Sequence, residues 1–471
     1  MFVFFPASHF DSDQAVTGLM AKHLSELRAF PVFWYGQTYM LGVEAWLAAP
    51  LMAIAGATVT ALKLPLLAIN VAITWLLFLG LTRDTGLDNR RAAFATLFFA
   101  LAAPITSAHF LTANGGNVEP ALYILLLWVL RRRPVWMGIA LGIGFLNREF
   151  TVYGAVALLL LEAFSKQLFT RAIAVRYLVA FGTAAAVWIV FLGLRQISSA
   201  AGPGTSMADL DARLAGNNLL QVADRLCLDV RAIVSGIGGI VTSHWPALFG
   251  LTPQPLTDFG IESAARQGLT GAAWLLVPII AIPVVRAIQI RTSGVGPPAS
   301  DFPIYLMLVA GLSLGGYLIG RCGVVDFYTM RYELLSVLGA VGLAGWYLSV
   351  ERSRAVRGLW LSVCATLLVF SVTVHANLLL EYFTRPPVAA KQELIAALDA
   401  RGARYAYADY WTAYYVSFMT RERIVVATTE VTKVKEYDRI VESHRDEVIL
   451  ISRRPCNGGE QLTPAFWVCR R

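Results

Sequence analysis

Charge is what this 471-residue sequence is short of: Asp, Glu, Lys and Arg make up 15% of it, while 57% is hydrophobic. A soluble domain carries about 25% charged residues and less than half apolar ones. With a mean hydropathy of +0.59, a water-soluble globule of this size has too little polar surface to cover its apolar content. Disorder, collagen and coiled coil are excluded by the same composition. Cysteine is scarce too: five residues are too few for a disulfide-stapled scaffold. The sequence has no G-x-x-x-x-G-K-[ST], no G-x-G-x-x-G after a strand, no H-E-x-x-H and no paired C-x-x-C. These absences argue against ATP hydrolysis, nucleotide-sugar Rossmann chemistry, metalloproteolysis and redox chemistry, and no nucleotide cofactor is expected. No internal repeat is evident, so an inverted-repeat transporter has no support. What remains is a chain threaded repeatedly through a bilayer.

Apolar length and basic ends predict a mainly α, polytopic helical bundle of about ten spans, over 60–81, 92–111, 118–131, 134–147, 150–164, 172–194, 270–287, 302–320, 331–349 and 358–377. The third, fourth and fifth are short, divided by Pro134 and by Asn147-Arg148-Glu149. Thirteen basic residues, Arg83, Arg131 and Arg352 among them, fall in segments on one side, and seven fall in short segments on the other. The richer side should face the cytoplasm. That bias explains the net charge of +8 without nucleic acid. Residues 1–59, the 112–117 turn, the Arg148 turn, the 196–269 loop, the 321–330 turn and the tail then face outward. The expected location is the cytoplasmic (inner) membrane, with site and tail toward the periplasm or cell exterior. The opening MFVFFPA reads like the outer end of a helix whose beginning is absent.

Residues 1–380 form the expected membrane part and 381–471 a small soluble extracytoplasmic α/β unit. In the tail, KQELIAALDARG reads as a helix capped by Gly402, RYAYAD as a strand and WTAYYVSFM as a helix. RIVVAT, EVTKVKEYDRIVESH and EVILIS continue the alternation as strand, helix, strand. A Cys456–Cys469 disulfide is permitted if this unit lies outside the cytoplasm. Residues 14–28 place apolar side chains near one helical face, and 41–57 are mostly apolar; both suit the membrane surface. Within the 196–269 loop, ADLDARLAGNNLLQVADRL looks helical and TPQPLTDFG turn-rich.

Acids near the membrane carry the chemistry. His9-Phe10-Asp11-Ser12-Asp13-Gln14 sets two carboxylates directly after an apolar run. Glu44 lies in WYGQTYMLGVEAWLAAP and Glu119 just inside a span, where charge is expensive and usually has a role or partner. Converging on one outward face, they would activate a hydroxyl as general base or bind a divalent metal, with Asp11, Asp13 and Glu119 as ligands. The bland alternative is separate surface acids. Arg148, Arg321 and Arg331 face the same side, and their planar donor forks suit phosphate; the alternative is structural pairing with Glu149 or Asp326. His9 and His109 read first as structural or solvated residues.

Read together, HFDSDQAVTGLMAKHL, YGQTYMLGVEAWLAAPL (with Tyr39), GGNVEPAL, FYTMRYELL and ARYAYADYWTAYYVSF resemble the C-type membrane glycosyltransferase superfamily, near the protein O-mannosyltransferases and aminoarabinose transferases. The resemblance covers nearly the whole chain. It implies a polyprenyl-phosphate sugar as donor and transfer on the extracytoplasmic side, generally with inversion. It also implies Asp13, or Asp11, as base, and substrate-binding roles for Tyr39, Glu44, Glu119 and the three arginines. The implied cofactor is a divalent ion such as Mg, Mn or Zn. The partners are membrane lipids and a lipid, glycan or protein acceptor. The family's acidic pair is commonly Asp-Glu; here it is Asp13-Gln14, and Asp11 is the candidate for the missing acid. A transporter or flippase, and a non-catalytic envelope subunit, are the alternatives.

Overall fold

A computed structural model describes residues 2–5, 9–207, 210, 226–251, 272–293, 300–321, 325, 329–386 and 389–469, with the Arg321 side chain left aside. The helical readings of 208–226 and the turn-rich 252–260 fall almost wholly outside these residues.

The chain is a multi-pass helical membrane protein. All ten expected segments are helical where described. Among the described residues, six helices are long and apolar enough to cross a bilayer: α3 (Val59–Arg83), α9 (Arg171–Leu194, with a short continuation) and four within 273–384. A seventh results if α4 (Asn89–Ala100) and α5 (Pro104–Phe110), bent by 79°, count as one. The expected ten is not reached by length. α6 (Glu119–Leu130), α7 (Pro134–Asn147) and α8 (Val152–Phe164) have 12, 14 and 13 residues, and at 1.5 Å per residue none reaches the roughly 30 Å of a hydrocarbon core. α9 buries only Tyr177 and Ala180 and leaves Leu178 and Ile189 open, as a lipid-facing helix does.

Two further helices shape one end of the bundle. α1 (Ser12–Ser25) begins where Asp11 Oδ1 accepts the Gln14 N–H at 2.9 Å, an N-cap that satisfies an otherwise orphaned donor. α2 (Val43–Ala55) packs on α1 and α3. The expectation that α1 lies along the membrane surface is not met. Nearly every residue from Ser12 to His23 is buried, because the C-terminal unit covers the helix face that looks polar in sequence. Gly18 permits this closeness: a Cβ there would sit 2.5 Å from the Phe418 ring.

The C-terminal sheet has the order β2-β1-β3-β5-β4. β1 (Tyr405–Ala408) runs parallel to β2 (Val425–Thr428) and β3 (Ile449–Ser452); β5 (Phe466–Cys469) is antiparallel to β3 and to β4 (Glu460–Thr463). The alternation read from sequence holds, including the Ala390–Ala400 helix before Gly402 at φ +71°. The β4–β5 hairpin is additional. The Cys456–Cys469 disulfide ties β5 to the loop before β4.

An ion-pair clasp fixes this unit to α1. Glu422 accepts hydrogen bonds from His23 Nε2 at 2.9 Å, Arg28 Nη1 at 2.7 Å and Tyr437 Oη at 2.9 Å, and pairs with Lys22. Its backbone is left-handed, at φ 65°, a strained conformation that the surrounding bonds hold in place. Burial pushes the Glu422 carboxyl up, but the bonds and charge of His23 and Lys22 outweigh it and hold it well below the usual 4.5. A depressed carboxyl contributes stability that is complete above the unfolded value and is lost as pH falls through the folded one. The clasp therefore stays intact above about pH 4.5 and weakens only in strong acid. Glu422→Ala leaves Lys22 to Glu26 and strips the buried His23 Nε2 of its carboxylate, and is expected to cost about 1–3 kcal/mol. The measurement is the thermal midpoint in detergent together with proteolytic release of the C-terminal unit; an unchanged midpoint rejects the clasp.

Candidate active site

The turn into α1 is built around His9, at φ 67°. Its carbonyl accepts Lys63 Nζ at 2.6 Å and Gln14 Nε2 at 3.1 Å. Its ring meets Tyr382 Oη at 3.3 Å and stacks edge-on against Phe2. Lys63, fully buried in the first turns of α3, thereby locks the segment that delivers both aspartates, and its charge reaches Asp11. Asp11 is committed in part to capping α1. Asp13, half-buried in the first turn of the helix, accepts a 2.6 Å hydrogen bond on Oδ1 from Tyr410 Oη. Tyr410 belongs to the Tyr410–Met419 helix of the C-terminal unit.

The charges of Arg331 and Lys433 also act on Asp13, yet no ion pair to Asp13 forms among the described residues. Lys433 is buried, with its ammonium 4.9 Å from the centre of the Trp34 ring, whose Nε1 donates to Thr17 of α1 at 2.9 Å. Arg331 lies in the Thr329–Glu333 turn, which is braced by the buried His244–Glu333 pair at 2.5 Å. Its Nε is buried without a partner. Burial, then the neighbouring Asp11 charge, push the Asp13 carboxyl above its ordinary 3.8 against the opposing Tyr410 hydrogen bond and the two cations. A carboxylate so destabilised is a stronger base than one in water.

Glu44, Glu119 and Arg148 gather beside this group rather than in it. The Glu44 carboxylate accepts the Gly115 and Gly116 amides at 2.8 and 3.0 Å. Those glycines sit at φ +92° and +94°, and a Cβ on Gly115 would lie 2.4 Å from Met40. Glu119, buried at the start of α6, accepts the Val118 amide at 3.1 Å, and its charge acts on Glu44. Arg148 donates to Gly115 O at 3.1 Å and Met40 Sδ at 3.2 Å; the alternative pairing with Glu149 is not among its bonds. The 112–119 turn thus has a carboxylate on its amides and an arginine on a carbonyl. Gln14 Oε1 accepts the Ala113 amide at 3.4 Å, so this turn lies next to the residue following Asp13. Tyr39 is 38% exposed. The Arg321 side chain and Asp326 lie outside the described residues.

Asp11, Asp13 and Glu119 are not gathered as one ion's ligands: Glu119 faces Glu44, Asp11 caps a helix, and Asp13 is held by a phenol. Among the described residues, the group whose ligand atoms all lie within 4.8 Å is His23, Glu422 and Glu436. Histidine with two carboxylates is a zinc-type donor set. Here Lys22 and Arg28 already occupy the carboxylates, so an ion would have to displace both cations, and the fit is poor.

Sequence reasoning missed Tyr410 and Lys433. Tyr410 stood inside the motif ARYAYADYWTAYYVSF, but nothing local marks it as the partner of Asp13.

No family model and no curated protein matches the chain. Among solved structures, it is similar to the oligosaccharyltransferase of Archaeoglobus fulgidus, solved with zinc and sulfate, at 14% identity and a TM-score of 0.48. That match covers 94% of this chain and 64% of the other, so the chain spans a little under two thirds of that protein. It is also similar to ArnT from Cupriavidus metallidurans bound to undecaprenyl phosphate, at 12% identity and a TM-score of 0.46, covering 99% and 95%. The apo form of ArnT gives 12% identity and a TM-score of 0.40. These neighbours, an oligosaccharyltransferase and an aminoarabinose transferase, are of the C-type glycosyltransferase group that the sequence motifs resemble.

Proposed function

We propose that this protein transfers a sugar from a polyprenyl-phosphate donor to an acceptor hydroxyl, on the extracytoplasmic face of the membrane and with inversion. The observation that carries the reading is Asp13: a half-buried carboxylate fixed at 2.6 Å by Tyr410, with the charges of Arg331 and Lys433 acting on it and neither paired to it. A base acted on by cations that do not pair with it suits a reaction that removes a proton and releases a phosphate. Asp13 takes the proton of the acceptor hydroxyl while the oxygen lone pair forms the bond to the anomeric carbon. The bond from that carbon to the phosphate oxygen breaks, and its electron pair leaves with the polyprenyl phosphate. Arg331 and Lys433 stabilise the charge that develops there. The donor is already activated, so the step consumes no nucleotide.

Purified full-length protein, given a panel of undecaprenyl-phosphate sugars and lipid, glycan and peptide acceptors, is expected to release undecaprenyl phosphate and form a product of opposite anomeric configuration. Solute movement in proteoliposomes without sugar transfer would replace this reading with transport. Because Arg331 and Lys433 supply the positive charge and the carboxylates are not gathered for an ion, turnover is expected to survive dialysis against EDTA. Loss of turnover that Mg, Mn or Zn restores would place a metal in the step.

A further inference from the structure

The C-terminal unit reaches into the site rather than merely capping it. Tyr410 is 8% exposed and sits on the first turn of its helix, where Asp409 accepts the Thr412 amide at 3.1 Å and fixes the start. Its ring packs edge-on against Trp411 and Tyr414 at 5.2 Å. Tyr414 in turn accepts the backbone amides of Lys433 and Val434. One aromatic cluster therefore places both the phenol that touches Asp13 and the ammonium whose charge acts on it.

We infer that Tyr410 is a positioning residue for sugar transfer: its phenol tethers one oxygen of Asp13 and keeps the carboxylate from collapsing onto Arg331 or Lys433. The inference rests on the transferase reading. A half-buried carboxylate on which the charges of two cations act is drawn toward an ion pair, because Coulomb attraction grows as water is excluded. Such a pair would occupy the oxygen that takes the acceptor proton and the cation that faces the leaving phosphate. A phenol resists this without adding charge. It engages Oδ1 alone, and Oδ2 stays available to the acceptor. No other side chain among the described residues donates to Asp13.

The test is Tyr410→Phe in the full-length protein, which keeps the ring packing and removes one O–H. With the undecaprenyl-phosphate sugar that the wild type uses, kcat is expected to fall about tenfold while the donor KM stays within about twofold, the pattern of a lost transition-state arrangement. The thermal midpoint is expected to hold. An unchanged kcat overturns the inference, and so does a fall in kcat accompanied by a lower midpoint that a second variant, Tyr414→Phe, reproduces. A second readout does not depend on turnover. Dicyclohexylcarbodiimide labelling is read by mass spectrometry as the ratio of Asp13 to Asp11 modification. Freed of its tether, Asp13 is expected to pair with Arg331 or Lys433, stay ionised and label several-fold more slowly relative to Asp11. If the wild type transfers no sugar, the transferase reading fails, and this ratio alone decides the tether: a fall upholds it and an unchanged or raised ratio overturns it.

Discussion

Asp13→Asn is expected to lower sugar transfer by about 10²- to 10⁴-fold, the range for loss of a positioned general base. Asparagine keeps the size of the side chain and still accepts the Tyr410 hydrogen bond, so the docked C-terminal unit and the thermal midpoint should be preserved. What is lost is the capacity to take a proton. The pH profile gives the second check. Activity needs the ionised carboxylate, so it disappears as pH falls through the Asp13 value, which burial and Asp11 push above the ordinary 3.8. The acid limb of wild-type kcat/KM is therefore expected above the normal carboxylate range, and Asp13→Asn is expected to lack it. Asp11→Asn should act more mildly, through the α1 cap and the charge beside Asp13. Equal turnover of wild type and Asp13→Asn would remove Asp13 from the chemistry.

Arg331→Ala is expected to reduce kcat by about 10²- to 10³-fold, comparable to removing one preorganised donor from a site where charge develops. Of the marked arginines whose side chains are described, Arg148 and Arg331, it is Arg331 whose charge acts on Asp13. Arg148 is committed to a backbone carbonyl and a thioether, so Arg148→Ala should appear first as instability of the 112–119 turn. Arg331→Lys keeps the charge but loses the planar fork, and an intermediate rate is expected. The direct measurement is single-turnover release of undecaprenyl phosphate. If Arg331→Ala raises only the donor KM and leaves kcat alone, the guanidinium binds donor and transition state equally and does not stabilise departure of the phosphate.

What was legible in the sequence was whatever has a local period or a local cost. Helical spans announce themselves through apolar length, and the tail's strands and helices through alternation and Gly402. Glu44 and Glu119 stood out because acids at such depth need partners, and they find them in the backbone amides of Gly115, Gly116 and Val118. α1 was misjudged because Lys22 and His23 look polar whether water or Glu422 satisfies them. The β4–β5 hairpin was missed because EQLTPAFWVC gives two strands of four residues, too short for a periodic signal. Tyr410 and Lys433 were invisible as site residues for the same reason that they matter: their contacts are made across almost the entire chain.

That distance has a consequence for how the protein is made. Tyr410 follows Asp13 by 397 residues. At about 5–20 residues per second, a ribosome takes roughly 20–80 s to cover the interval. Throughout that time the face of α1 that the C-terminal unit covers is unpartnered, and Asp13 has no phenol beside it. Closing so long a loop adds little entropic cost beyond closing a moderate one, so the delay is one of synthesis and not of search. Translation products that end before Tyr410 therefore carry Asp13 without its tether.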